Sequence, residues 1–499
     1  MVAASAVLVC SCRKDFEPKG RTPEKYASEE KALEAVQGLY SAGAPTFYNT
    51  LTSANVPFAA LGGYLSGMIE GENASAGIYG NCRSLSLDAP EMSSLLQEVW
   101  TQAVNAIVQA DKIIDNIAVS TVLSDEQKSR LTAEARFFRA FNRFYLAKTF
   151  GQAPQTTQDA ISGKVSTVNL DLAEAYSLII DDLQRAMFDL PDVAFTTEGR
   201  VGRPAAQMLL ADVYLTMSGY PLSEDHYRQA ADMARRIIGG GRHILTPNGA
   251  TPDASAYNML RTRSDNPEYV YTRQVSASSL AALCLPGDAS GWGVVKVETR
   301  SAYRPAQALI AMYDPVEDMR GREQQFFHSF VKYQKGERTV IQTFATMPYL
   351  WFNREALLGA DSSTRASAQD ANVIIYRYAE ALLIAAEAIA MSEGVTAEAA
   401  GYLADVRARA WPKVGRGDIA AALAALGRER FVEEVWVERL REFPFEMKLW
   451  SDIQRTRKYP VIVSDSTGNK VTFRDVVGAA NPGGITFEQR HLLMPVPKK

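Results

Sequence analysis

The chain has 499 residues, 47% hydrophobic and 22% charged, with 53 Lys and Arg against 57 Asp and Glu for a net charge of −4. This is the composition of a globular protein with a core; it excludes a disordered chain and offers no basic block of the kind that tracks phosphates, so no nucleic acid is expected as a partner. The four cysteines, two of them within the first twelve residues, make no disulfide framework, and beyond residue 12 no apolar stretch reaches the roughly eighteen residues needed to cross a bilayer.

At the N-terminus Val2 to Val9 form an apolar run too short to span a membrane but suited to the hydrophobic part of an export signal. Ser11 and Cys12 follow, then the charged stretch Arg13 to Glu17. A small residue before a cysteine in this setting resembles a bacterial lipobox, in which the thiol receives a lipid before a peptidase cuts ahead of it. Residues 1–11 are therefore expected to be a lipoprotein signal peptide and Cys12 the lipidated residue; Cys10 fits less well because bulky Val9 precedes it. Residues 12–499 read as a single domain, in which the sequence leaves open whether Cys82 and Cys284 pair.

Helix signals then recur. Ser28 ahead of Glu29 and Glu30 starts an amphipathic helix to Tyr40. Residues 95–117 place Leu96, Trp100, Val104, Ile107 and Ile114 at helical spacing. Ser124 to Gln127 is a capping box that opens a helix over 125–149. That helix carries Phe137, Phe138, Phe141, Phe144 and Tyr145, too many rings for one exposed surface, so it must be wedged between neighbours. Further helices are predicted over 171–190, 204–218 with Pro204 at its start, and 224–238 with Gly239 to Gly241 as the stop. Another pair is expected at 372–391 and 396–410, with a last helix at about 428–443. Helix pairs at this spacing, rich in Ala and Tyr, look like tetratricopeptide units, although none shows the full repeat consensus. The scaffold is thus expected over about 22–42, 93–240 and 371–456.

Between these blocks, residues of about 43–92 and 241–370 are rich in Gly, Pro, Asn, Ser and Thr, with short apolar runs such as Tyr269 to Tyr271 and Val294-Val295 that fit strand or loop equally. They hold the aromatics Tyr64, Tyr79, Tyr257, Trp292, Tyr303, Tyr349 and Trp351, which read as exposed. Long irregular segments on a helical scaffold point to a binding device. A glycan platform needs flat exposed rings beside polar groups. Tyr79 with Asn81 and Arg83, Trp292 with Asp288 ahead of it, and Tyr303 are the candidate ligand-binding residues.

Catalytic signatures are absent. The four histidines have no metal-ligand spacing with one another or with a cysteine, and there is neither a nucleophile elbow nor a phosphate loop. Gly415 to Ala420 has a dinucleotide-like spacing but no strand ahead of it, and reads as a helix-to-helix turn. Asp181-Asp182 and Glu433-Glu434 diverge by about 100° around a helix, so neither pair can embrace a sugar, and both read as a solvated face. Glu70 to Asn73 and Ser464 to Asn469 carry oxygen ligands that calcium would accept but lack EF-hand spacing, so turn chemistry is the reading and no cofactor is expected.

Six blocks in order resemble the SusD/RagB family of surface lipoproteins. They are Cys12 to Phe16, Ser28 to Tyr40, Leu131 to Phe141 continuing to Pro154, Arg377 to Ala388, Glu429 to Trp450, and the strand-like closing motif Leu493 to Pro497. The resemblance implies an all-α tetratricopeptide-like scaffold with minor β content, a lipid anchor in the outer membrane with the protein facing the cell exterior, and a nutrient-binding face on the irregular segments. It also implies a SusC-type TonB-dependent transporter as partner, oligosaccharide or polysaccharide as ligand, and no catalysis. Peptide binding in the same arrangement, an all-helical glycoside hydrolase, or a helical-repeat scaffold for soluble proteins are the alternatives. The stretch Arg304 to Gln307 departs from the family's usual sequence after Gly291-Trp292-Gly293, so the site residues carry over by region only.

Overall fold

The predicted helix starts carry the caps their sequences call for. The Ser28 hydroxyl accepts from the Lys31 amide at 3.3 Å and opens the helix Glu29–Leu39. At Ser124 the box is reciprocal: its hydroxyl accepts from the Gln127 backbone amide at 3.2 Å while the Gln127 side-chain Oε1 accepts from the Ser124 backbone amide at 2.8 Å. Asp171 and Thr396 cap two further helices in the same way. Each such cap stabilises its helix by about 1 kcal/mol. The computed structural model describes residues 25–497 apart from 53–54, 159–164, 195–198, 264, 275–278, 359–371 and 467; Cys12 and the signal segment 1–11 lie outside the described residues.

The architecture is all-α, with strands confined among the described residues to two-stranded pairs. Helices Pro90–Ala118, Asp125–Phe150, Leu172–Asp189, Arg203–Met217 and Tyr227–Gly239 each pack on the next. The stack does not end there. Tyr227–Gly239 lies against Tyr378–Ser392, which continues into Ala397–Ala410, Arg416–Ala424 and Arg428–Glu442. The irregular segment of about 241–370 therefore leaves the stack and returns to it without interrupting it. As expected of a helix with rings on every side, Asp125–Phe150 is wedged: Phe137, Phe138, Phe141, Phe144 and Tyr145 are all buried. Phe137 and Phe141 meet Tyr271 edge-on at 5.4 and 6.1 Å between ring centres.

Four expectations change. Residues 373–377 form a strand, not the start of a helix: the run Val373 to Arg377 pairs antiparallel with Tyr269–Arg273, and the helix begins only at Tyr378. Branched and aromatic side chains suit that buried pairing better than a helix. Second, the segment read as irregular contains a hairpin, Phe327–Lys335 with Arg338–Pro348, turning at Gly336 with φ +63°. Third, the carboxylate pairs are not solvated faces. Asp182 is buried and accepts from Arg139 at 2.8 Å and Arg143 at 2.9 Å, while half-buried Asp181 pairs with Arg185. Glu434 reaches Arg407 at 3.0 Å. Fourth, the closing motif forms no ladder; Met494 donates to the Thr149 carbonyl at 2.8 Å and so docks on the end of the aromatic helix.

The junction between insert and stack is a buried charge network. Arg377, fully buried, donates to Glu268 and Glu442 at 2.7 Å each and to Glu446 at 2.9 Å. Arg320 donates to Asp318, Glu438 and Glu442 at 2.7, 2.7 and 2.8 Å. Arg409 bridges Glu268 and Glu442. Removing one partner from such a network strands a charge out of water, which costs about 3–5 kcal/mol. The network thus fixes where the insert re-enters the stack. The insert also builds a satellite core of its own from Cys284, Leu285, Val331, Tyr333, Tyr349, Phe352 and neighbours.

Candidate functional site

Tyr79 lies in the short helix Gly77–Arg83. Ile78 and Cys82, four apart, form its buried face, which leaves Tyr79 and Arg83 one step round and half-exposed. Burial pushes the Cys82 thiol up to about 12, as befits a side chain that only packs. Gly71 lets the tyrosine ring lie directly on the backbone, since a Cβ there would come within 2.7 Å of the Tyr79 ring. Behind it Tyr64 sits at 4.9 Å between ring centres, and Tyr303 at 5.9 Å from Tyr64. The Tyr64 hydroxyl donates to the Ala302 carbonyl, which ties this wall to the loop ahead of Tyr303.

Tyr79 walls an open cleft of about 380 Å³, whose polar lining comes from Asn55, Glu72, Asn73 and Glu91. Glu72 also holds the cleft's edge: its carboxylate accepts from the Ser301 amide at 2.6 Å, and the Ser301 hydroxyl accepts from the Gly287 amide at 2.8 Å. The loop that precedes Asp288 is thereby joined to the loop that carries Tyr79. A flat ring held rigidly beside two carboxylates and two amides can stack a sugar face and accept or donate to its hydroxyls. Among the described residues no group of three or more His, Cys, Asp or Glu could hold a metal ion. Ser464 pairs with Asn469 across the hairpin Lys458–Asp465 with Gly468–Asp475, in which Asp465 meets Lys470 at 2.8 Å.

The sequence-derived candidates separate. Tyr79 lines the cleft. Arg83 shares its helix face but does not line the cleft, and its carbonyl accepts from Asn481 at 2.7 Å. Asn81, two residues on from Tyr79, points about 200° away around the axis. Asp288 is exposed at the start of the turn Ala289–Trp292, and Trp292 is half-buried against Phe344, stacked at 5.7 Å. Neither lines the cleft. Tyr303 corrects the expectation of exposure: it is 0% exposed, wedged between Tyr64, Trp351 and Phe445, and offers no face to a ligand. Tyr64, Tyr257 and Tyr349 are buried as well. The reason is common to all four: the segments that carry them have apolar neighbours enough to pack, Tyr64, Tyr257 and Tyr303 into the main core and Tyr349 into the satellite core. Sequence reasoning missed Asn55 and Glu91, and took Glu72 and Asn73 for turn residues; the signal was the acid- and amide-rich loop sitting only a few residues before Tyr79.

Two family models match: that of the SusD family over residues 311–497, and one described as starch-binding, associating with the outer membrane, over residues 69–215. The SusD-like protein P2 of Formosa agariphila is 27% identical over 402 residues, covering 73% of this chain and 72% of its own length. A SusD superfamily protein from Parabacteroides distasonis shares the fold with a TM-score of 0.79 at 24% identity, covering 95% of this chain and 97% of that one. Surface glycan-binding protein A from Bacteroides uniformis does so with a TM-score of 0.67 at 17% identity, covering 94% and 96%. The two matched regions contain four of the sequence blocks described above, and the fold they imply is the one observed: the chain belongs to the SusD/RagB family.

Proposed function

We propose that this protein is a lipid-anchored outer-membrane receptor that captures an oligosaccharide or polysaccharide and passes it, chemically unchanged, to a SusC-type TonB-dependent transporter. The observation that carries the reading is the Tyr79 cleft: a ring immobilised by Gly71 and Tyr64, facing Glu72, Asn73 and Glu91. The starch-binding description of one matched family model and the glycan-binding neighbour support carbohydrate as the ligand class. No helix among the described residues is long and apolar enough to cross a membrane, and attachment is assigned to lipid on Cys12. A stacking ring contributes about 1 kcal/mol, so affinity at one cleft is modest, and tethering at the transporter mouth supplies effective concentration.

Affinity electrophoresis and calorimetry against a panel of neutral glycans test this directly. At least one glycan is expected to bind the wild type and to bind Tyr79→Ala roughly fivefold or more weakly. Retention of every binder by Tyr79→Ala would remove the cleft from the function. Because Glu72 and Glu91 both line the cleft and hydrolysis requires two carboxylates, the same mixtures are assayed for new reducing ends; their appearance would overturn the receptor reading in favour of a hydrolase.

A further inference from the structure

A second cleft, of about 280 Å³, opens between the hairpin Phe327–Lys335/Arg338–Pro348 and the segment 349–354. It differs from the Tyr79 cleft in the sign of its lining. Arg261, Lys332 and Arg354 all face it, and none of the residues that line it is acidic. None of the three forms an ion pair among the described residues. The fully buried guanidinium ions of this protein are neutralised: Arg320, Arg377 and Arg409 each meet two or more carboxylates.

Arg261 is held in place by neutral groups. It donates to the Phe352 carbonyl at 2.6 Å and to the Asn258 side-chain oxygen at 2.8 Å, and it lies over the Tyr349 ring at 4.6 Å. Its Nε is buried with no partner. Burial lowers the Arg261 pKa, and Tyr349, Cys284 and Asp253 offset that only in part. Lys332 and Phe330 are two apart on one strand and so share a face, with the ammonium 5.8 Å from the half-exposed ring. Arg354 is exposed on the opposite wall. Gln324, also in the lining, is fixed at φ +60°, its amide donating to the Phe327 carbonyl at 2.7 Å and its own carbonyl accepting from Asn258. The wall is rigid, cationic and ringed on one side.

We propose that this cleft is a second ligand site, which takes an anionic group carried on a sugar: a carboxylate or sulfate met by Arg261, Lys332 and Arg354 while the sugar face lies on Phe330. A planar guanidinium and an ammonium are the usual partners for such oxyanions, and an aromatic ring beside them favours a sugar-borne anion over a free one. The sugar rests on the receptor reading above; the anion rests on the three unpaired cations alone. The two clefts then have opposite preferences, the acidic Tyr79 cleft for neutral hydroxyls and this one for acid.

Calorimetry on the full chain separates the possibilities. The probes are tetragalacturonate, its methyl ester, a sulfated galactan tetrasaccharide and inorganic sulfate; the proteins are wild type, Lys332→Gln/Arg354→Gln and Tyr79→Ala. Both altered cations are exposed, so the double variant keeps its fold, which an unchanged melting temperature verifies. One or both acidic tetrasaccharides are expected to bind wild type at least tenfold more tightly than the ester, and to lose at least tenfold in the double variant while Tyr79→Ala leaves them unchanged. Which acidic probe binds tells carboxylate from sulfate. Binding of neither acidic probe, equal binding of acid and ester, or an unaltered double variant overturns the site. Inorganic sulfate competing as well as the tetrasaccharide overturns the sugar. Loss of neutral-glycan binding in every protein, with acid binding still dependent on Lys332 and Arg354, would sink the Tyr79 cleft and leave this one standing.

Discussion

Neutralising Glu268 puts the buried network at the edge of the insert to a quantitative test. Its carboxylate is fully buried and accepts from Arg377 at 2.7 Å, from Arg409 at 2.5 Å and from the Thr246 amide at 2.9 Å. Burial raises a carboxyl pKa, but here the Arg409 and Arg377 charges, with the Thr246 amide, overcome it and hold Glu268 at about 2 against an ordinary 4.5. A folded-state pKa below the unfolded one gives stability that is complete above about pH 4.5 and disappears as pH falls through about 2. The gap of about 2.5 in pKa corresponds to about 3 kcal/mol. Glu268→Gln keeps shape and an acceptor but removes the charge, so it should forfeit that amount at pH 7. With an unfolding entropy on the order of 1 kcal/mol/K for a chain of this size, the melting temperature should fall by about 3 °C. The same linkage leaves the wild type an advantage of about 1 °C at pH 3. Scanning calorimetry of both proteins at the two pH values provides the check. A difference that is the same at pH 3 as at pH 7, or no difference at either, would refute the assignment of Glu268 as a charged keystone.

Four further outcomes follow from the geometry. Gly71→Ala drives a methyl to 2.7 Å from the Tyr79 ring and should weaken glycan retention about as much as Tyr79→Ala, with little change in melting temperature; normal retention in affinity gels would show that the ring can move aside. Tyr303→Phe deletes a buried hydroxyl that has no partner, so stability should stay within about 1 kcal/mol of wild type or rise, and a loss above about 2 kcal/mol in urea titration would mean the hydroxyl is engaged. Cys82 and Cys284 are free and buried, with burial raising both thiols, Cys82 to about 12; a disulfide-forming colorimetric reagent at pH 8 should find neither until denaturant is added. Cys12→Ala should move the protein from membrane to soluble fractions, and unchanged sedimentation with membranes would count against lipid on that residue.

What could be read from the sequence was local. Ser28, Ser124 and the Gly239 to Gly241 stop act within a turn of their own positions, and the predicted helix ends lie close to the observed ones. The rings of the Asp125–Phe150 helix told of their burial by number alone. What failed depended on partners distant in the chain. Val373 to Arg377 is a strand because Tyr269 to Arg273 lies beside it, and nothing near residue 373 names that partner. Asp182 is buried and Asp181 is not because Arg139 and Arg143 stand on one side of their helix only. The loop rings posed the same problem. Tyr79 and Tyr303 sit in equally polar surroundings in sequence, yet one lines a cleft and the other is sealed behind Tyr64.

The continuity of the helical stack across the insert has a consequence for how such a receptor changes. Because Tyr227–Gly239 rests on Tyr378–Ser392, the segment between them is a closed excursion whose two feet are pinned by the Tyr269–Arg273/Val373–Arg377 pairing and by Glu268 with Arg377. The entropy of closing an excursion grows only with the logarithm of its length, roughly 0.6 kcal/mol per doubling. Loops on this excursion can therefore be lengthened, trimmed or exchanged with little disturbance to the frame, provided the feet are kept. New specificities can evolve on one part of the molecule while the part that makes it fold stays fixed.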